Sequence, residues 1–380
     1  MSKPSRTFDV AVIGGGVIGL AIAWRVAQRG MKVTLLERED FGAGTSRVAA
    51  GMIAPISEAR PTEQPLLRFA LSSSRAYPEF VAEVAEASGR DPGYLATGTL
   101  AVARDRDEAE ALERELAMRQ SLGLPVRRRL ASEARTLEPG LAPALRLALE
   151  ISDDHAIDPR MLVPALAAAA ERAGVELRVG AAAQALSVTG RRVDGVVLAG
   201  GERVAAEQVL IAAGVWSGQL RGVPEEAHVP LRPVKGQIMR LHDPAGAGLL
   251  TRALRIPGAY IVPRGDGRYV LGATVEERGF DTTVTAGPLF ELLRDAIELL
   301  PGLSELVLDE LIAGLRPTTP DNAPMIGPGA LAGLQWATGH YRHGILLAPA
   351  TAELAVRCLL GEEPPPALSP ARFASVAVSC

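Results

Sequence analysis

Glycines at positions 14, 16 and 19 fall where the apolar run 8–13 gives way to a helical pattern, and a second apolar run, 32–37, follows Gly30. Strand, glycine turn, helix and strand in that order open a parallel, doubly wound sheet. Gly14 permits the tight turn, Gly16 lets the backbone approach a pyrophosphate, and Gly19 lets helix and strand pack closely. The helix start at Val17 and Ile18 offers unpaired N–H groups and a partial positive charge to phosphate. Glu37 closes the second strand 18 residues after Gly19. A carboxylate there accepts hydrogen bonds from an adenosine ribose and repels a 2′-phosphate, which argues against NADP. The motif alone leaves NAD and FAD open.

The same stretch imitates a secretory leader, because Lys3 and Arg6 precede the uncharged run 10–24. Asp9 at its mouth and three consecutive glycines inside it oppose that reading, and cleavage there would destroy the turn. No other run reaches the roughly 18 apolar residues of a membrane span, so the expectation is a cytoplasmic protein. Forty Lys and Arg against 44 Asp and Glu give a net charge of -4, which offers no basic field to a nucleic acid. Cys358 and Cys380 are the two cysteines, too few for a disulfide framework or a cysteine-based metal site. The pair His340 and His343 lacks a third ligand nearby, so no metal is expected.

Further along, the pattern predicts a helix over 66–87, a strand pair within 94–103, and a charged helix over 105–120. In that helix Glu110/Arg114 and Glu115/Arg119 read as a solvated face, and the triplet 127–129 reads the same way. Asp158-Pro159 is a helix start, with Gly174 ending the helix it begins. Strand 175–179, a hairpin 193–198/203–205, a return strand 208–213, and a sharper hairpin 260–264/269–273 follow. Strand 334–338, a loop 339–344 and a helix 345–360 close the pattern.

Several of these segments resemble the glycine oxidase and D-amino acid oxidase superfamily of FAD enzymes. They include Thr45-Ser46-Arg47-Val48-Ala49-Ala50-Gly51-Met52-Ile53, Ile211-Ala212-Ala213-Gly214-Val215-Trp216-Ser217 and Tyr260-Ile261-Val262-Pro263-Arg264. Gly272-Ala273-Thr274, Gly314-Leu315-Arg316-Pro317 and the run 339–351, from Gly339-His340-Tyr341-Arg342-His343-Gly344-Ile345-Leu346 onward, complete the resemblance. It implies noncovalent FAD, since no cysteine stands near Arg316 for a tether. The implied fold is α/β, a Rossmann-like, glutathione-reductase-like FAD-binding domain with a second α+β substrate domain on a mostly antiparallel sheet. The expected division is 1–85, 150–222 and 318–365 for FAD, 86–149 and 223–317 for substrate, and a tail at 366–380.

The resemblance extends the cofactor set to Arg38, to Thr45, Ser46, Ala50, Gly51 and Met52 beside the flavin, and to Gly214 and Trp216. It adds His340, Arg342, His343, Gly344, Ile345 and Leu346, where a helix start faces the N1/O2 edge of the isoalloxazine. Arg316 and Tyr260 are the expected anchors for a substrate carboxylate, since a guanidinium matches that planar anion with two parallel hydrogen bonds. Arg342 is a second candidate at the substrate mouth. The implied enzyme is a CH–NH2 oxidoreductase that takes hydride from glycine, sarcosine or small D-amino acids to flavin N5. It would release imine, then keto acid, ammonia and hydrogen peroxide, with a place in thiamin thiazole synthesis. The alternative is a D-amino acid dehydrogenase using a quinone or carrier. Oxygen and the small substrate are the expected partners, with no nucleic acid and no membrane, in a homo-oligomer. Val275 follows Gly-Ala-Thr where glycine oxidases often carry Met, which alters the pocket wall.

Overall fold

A computed structural model describes residues 7–224, 227–246 and 248–373; Lys3, Arg6, Cys380 and the end of the expected tail lie outside them. Strand Phe8–Ile13 lies between two parallel neighbours, with Val12 opposite Leu35 on one side and Leu210 on the other. Burial on both faces explains why these strands read as unbroken apolar runs rather than alternating ones. The helix Val17–Gln28 covers one face, packed between helices Pro159–Arg172 and Gly344–Leu359. It buries Leu20, Ile22 and Trp24 completely, each worth about 1.5–3 kcal/mol relative to exposure. Asp158 caps Pro159–Arg172 by accepting from the Arg160 N–H at 3.0 Å.

The hairpin expected at 193–198/203–205 forms, but its second arm and the return strand expected at 208–213 are one continuous strand, Arg203–Ile211. Its first half pairs antiparallel with Arg192–Leu198, and its second half runs parallel to Phe8–Ile13 and Leu334–Thr338. A single strand serving two partners of opposite sense leaves no break in the sequence to read.

The second large sheet has the spatial order 307–318, 232–242, 268–272, 259–263, 253–256, 99–103, 147–151, 127–129. All its pairings are antiparallel except that between 99–103 and 253–256. Strand period two sorts its faces. Ile261, Tyr269 and Leu271 join the helix Ala286–Leu299 in one core. Ile238, Val262 and Val270 face the other way, onto Val48, Ala50 and Ala156. That second face looks at the glycine turn. The expected pair within 94–103 is divided instead: Tyr94–Leu95 joins a small sheet with His155–Ile157 and Met52–Ile53, while Thr99–Ala103 joins the large one. The expected boundary at 149/150 falls within strand Leu147–Ile151. Among the described residues, no helix is long and apolar enough to cross a membrane.

Candidate active site

One cavity of about 890 Å³ runs from the glycine turn to the second sheet. It gathers every expected site residue except Gly19 and Leu346. A Cβ on Gly19 would collide with the Gly14 carbonyl oxygen, so this glycine shapes the turn from behind. A Cβ on Gly14, whose φ is +107°, would lie 2.6 Å from the Ala212 carbonyl oxygen. The helix behind the turn has no side-chain cap and no acid in its first turn. In its first turn the N–H of Val17 donates to Ser46 Oγ at 3.1 Å and that of Leu20 to the Gly16 carbonyl at 3.0 Å, which leaves those of Ile18 and Gly19 to meet an anion. A pyrophosphate fits this cradle on both steric and electrostatic grounds.

Glu37 is more constrained than the sequence indicates. Its two carboxylate oxygens accept the N–H groups of Gly15 at 2.7 Å and Glu39 at 2.9 Å, so it holds the turn as well as facing the cavity. Arg38 lies 4.2 Å over the ring of Trp216, a cation–π contact that makes one flat wall.

At the other end the second sheet supplies a row of side chains. Tyr260 stands directly opposite Gly272, which stands opposite Ile238. A Cβ on Gly272 would approach the Tyr260 hydroxyl to 3.0 Å, so the glycine makes room for the phenol. Two strands farther, Gly236 pairs with Gly314, and a Cβ on Gly236 would overlap the guanidinium of Arg316. Arg316 Nη1 donates to the carbonyls of Thr274 at 3.1 Å and Lys235 at 3.2 Å. No carboxylate lies within ion-pair distance of it among the described residues. Burial raises the Tyr260 pKa against the opposing pull of Arg316, so the phenol stays a hydrogen-bond donor.

Arg342 differs. It pairs with Glu58 at 2.6 Å and Glu63 at 3.0 Å, so its charge is already answered. Burial would raise the Glu58 carboxyl, but the charge and hydrogen bond of Arg342, with the charge of Arg255, hold it below its usual range. Glu58 itself sits after a short loop clamped from both sides. The Asp154 carboxylate accepts the N–H groups of Ile56 and Ser57 at 3.0 and 2.7 Å. Arg119 donates to their carbonyls at 2.9 and 2.6 Å. Arg119 is 1% exposed and shares Glu115 with Arg255, which lines the cavity opposite Tyr260. The solvated face expected for Glu115 and Arg119 is thereby corrected: a helical i,i+4 pair looks identical whether it faces water or a neighbouring loop. The triplet Arg127–Arg129 forms a sheet edge, with Arg128 paired to Glu113 and Arg129 to Glu150. Glu58 and Arg255 carry no motif of their own, and only the fold brings them to the cavity.

The loop 339–343 turns through Tyr341, which has a φ of +48°, into the helix Gly344–Leu359. That helix also begins without a side-chain cap or an acid in its first turn. Burial lowers His340 to about 3 and His343 to about 4, with His343 disfavouring charge on His340 and Arg342 disfavouring it on His343. Both imidazoles are neutral in ordinary conditions, and the cavity-facing N–H groups of this helix carry its positive end without help from them. His340 Nε2 lies 3.1 Å from Thr351 Oγ1.

Comparison with known proteins bears on this cavity. The family model described as "DAO: FAD dependent oxidoreductase" matches residues 9–357. The glycine oxidase of Geobacillus kaustophilus is 35% identical over 358 residues, covering 91% of each chain. Its crystal structure superimposes with a TM-score of 0.88 at 34% identity, over 95% of this chain and 96% of that one. The bifunctional protein ThiO/ThiG of Trichormus variabilis is 35% identical over 365 residues, which are 96% of this chain and 54% of that protein. The chain thus spans about half the length of such two-function relatives.

Proposed function

The chain belongs to the DAO family of FAD-dependent oxidoreductases, and on that premise we propose that it oxidises glycine and other small amino acids or amines, such as sarcosine and small D-amino acids. FAD supplies the acceptor for the hydride that leaves the substrate α-carbon. The glycine turn at 14–19 and Glu37 would hold its nucleotide end, Arg38 and Trp216 would line its adenosine, and the helix start at Gly344 and Ile345 would stabilise the negative charge that reduction brings. Residues 1–85, 150–222 and 318–365 bind the cofactor in this reading, and 86–149 and 223–317 bind the substrate.

Arg316 takes the substrate carboxylate, and Tyr260 adds a third donor. Holding that end fixes the α-carbon, so catalysis is chiefly alignment. The substrate must lose its ammonium proton before hydride leaves; water then hydrolyses the imine to keto acid and ammonia, or methylamine in the case of sarcosine, and oxygen takes the electrons as peroxide. Arg342, neutralised by Glu58 and Glu63, frames the mouth rather than gripping the anion. The observation that carries this reading is Arg316, a cavity-facing cation without a carboxylate partner among the described residues, beside a protonated phenol. The likeness to ThiO/ThiG supports a place in thiamin thiazole synthesis. The run 10–24, mostly taken up in a strand and a helix of the core, supports a cytoplasmic setting, and we extend the proposal to a homo-oligomer.

Anaerobic mixing of the purified yellow protein with glycine, sarcosine and D-alanine tests it. At least one should bleach the flavin, and admitting air should restore the colour with release of peroxide. Failure of all three refutes amino acid oxidation. Bleaching without peroxide under air would transfer the assignment to a dehydrogenase.

A further inference from the structure

The helix Gly344–Leu359 turns its first residues to the cavity and carries Pro349 in its second turn. Proline has no N–H, so the carbonyl of Ile345, four residues earlier, loses its helical donor. A neighbouring helix, Gln64–Ser88, supplies one. Tyr77, fully buried, donates its hydroxyl to the Ile345 carbonyl at 2.9 Å. One turn earlier in that helix, Ser73, also fully buried, donates to the Leu346 carbonyl at 2.7 Å and accepts the Ala350 N–H at 3.3 Å. Its hydroxyl therefore stands between the next two groups that a regular turn would join directly. Neither side chain lines the cavity. The Tyr77 ring is held by stacking on Tyr94 at 6.0 Å and by the edge of Phe80 at 5.9 Å, and burial raises its pKa, keeping the phenol protonated.

We propose that Tyr77 and Ser73 are positioning residues that stand in for the amide missing at Pro349 and so fix the aim of the Gly344 and Ile345 N–H groups at the flavin. This rests on the FAD reading of the cavity given above. A hydroxyl fixed to a carbonyl at the root of the first turn sets the tilt of the donors at its tip. Those donors stabilise the negative charge that reduction, or addition of sulfite, places on the N1/O2 edge.

The test compares the parent holoenzyme with Tyr77→Phe, Ser73→Ala and Tyr77→Phe/Pro349→Ala. The readouts are the sulfite dissociation constant, followed by flavin absorbance, and the two-electron midpoint potential. Tyr77→Phe should keep its FAD yet bind sulfite about tenfold more weakly, and a tenfold loss in the reduced form is about 30 mV for a two-electron couple. Ser73→Ala should weaken sulfite binding in the same direction by a smaller factor. Alanine at 349 returns an N–H to the Ile345 carbonyl, so the double variant should recover to within about twofold of the parent. Parental sulfite affinity and potential in a folded, yellow Tyr77→Phe protein would overturn the proposal. So would a defect that Pro349→Ala leaves untouched, since loss of packing alone would not be repaired by a backbone amide. Should Tyr77→Phe fail to fold, Ser73→Ala decides: unchanged sulfite binding overturns the proposal, weakened binding supports it. A parent protein that holds no FAD fails the functional reading itself, whereas a yellow, substrate-reducible parent with unresponsive variants fails this inference alone.

Discussion

The two ends of the cavity are built by different means. At the nucleotide end, recognition rests on backbone: glycines at 14, 16 and 19, a helix start, and Glu37 pinned to the N–H groups of Gly15 and Glu39. At the substrate end it rests on side chains carried by separate strands and loops, with Arg316 and Tyr260 on the second sheet and Glu58 and Arg342 on loops far apart in sequence. A backbone cradle admits little substitution, because a Cβ at Gly14 or Gly19 collides with backbone. A side-chain cluster can lose one member and keep its scaffold.

The largest effect should therefore come from Gly19→Val, whose side chain would press on the Gly14 carbonyl. FAD affinity should fall more than about a hundredfold, in line with the upper range of overpacking costs, measured as the flavin-to-protein ratio after gel filtration. Arg316→Met should cost on the order of a hundredfold in kcat/KM, the worth of two charge-assisted hydrogen bonds, while the flavin ratio stays parental. If that variant also came out colourless, the two ends would not be separable and the comparison would break. Arg342→Met should cost less than about tenfold in kcat/KM, because its charge is spent on Glu58 and Glu63, yet lower stability by about 2 kcal/mol through the carboxylates left behind. A kinetic loss equal to that of Arg316→Met would make Arg342 a carboxylate anchor too.

The last effect concerns pH and is absent at neutrality. Unfolded, His343 takes a proton near 6.5, whereas burial, reinforced by Arg342, holds it to about 4 in the fold. The unfolded chain binds more protons in between, so stability falls as pH drops from 6.5 towards 4. His343→Gln should flatten that fall by up to about 1.4 kcal/mol per pH unit, seen in denaturant midpoints, and should change nothing above pH 7. An equally steep acid loss in the variant would mean the imidazole is charged in the fold.

The same contrast explains what the sequence discloses. The turn at 14–19 is legible because its reasons are local: each glycine answers a contact made within one strand–helix–strand unit. The helix start at Asp158-Pro159 is legible for the same reason. Arg203–Ile211 is read as two pieces because its change of partners leaves no local mark. Arg119 passes for a surface residue because the carbonyls it satisfies, those of Ile56 and Ser57, lie more than sixty residues away. Arg316 and Tyr260 stand out through resemblance rather than pattern, since a lone arginine and a strand tyrosine carry no periodic signal. Glu58, in a short loop whose hold on Arg342 comes from Asp154 and Arg119 in the fold, escapes both routes.

The central claim, that one cavity seats FAD on the glycine turn and a small carboxylate on Arg316, is tested most directly by a crystal structure of the holoenzyme with glycolate, the hydroxy analogue of glycine. The account predicts pyrophosphate at the N–H groups around Gly16 and both glycolate carboxylate oxygens within hydrogen-bond distance of the Arg316 guanidinium, one of them shared with Tyr260. A carboxylate seated on Arg342 or Arg255 instead, or a dinucleotide bound away from the turn, would contradict it.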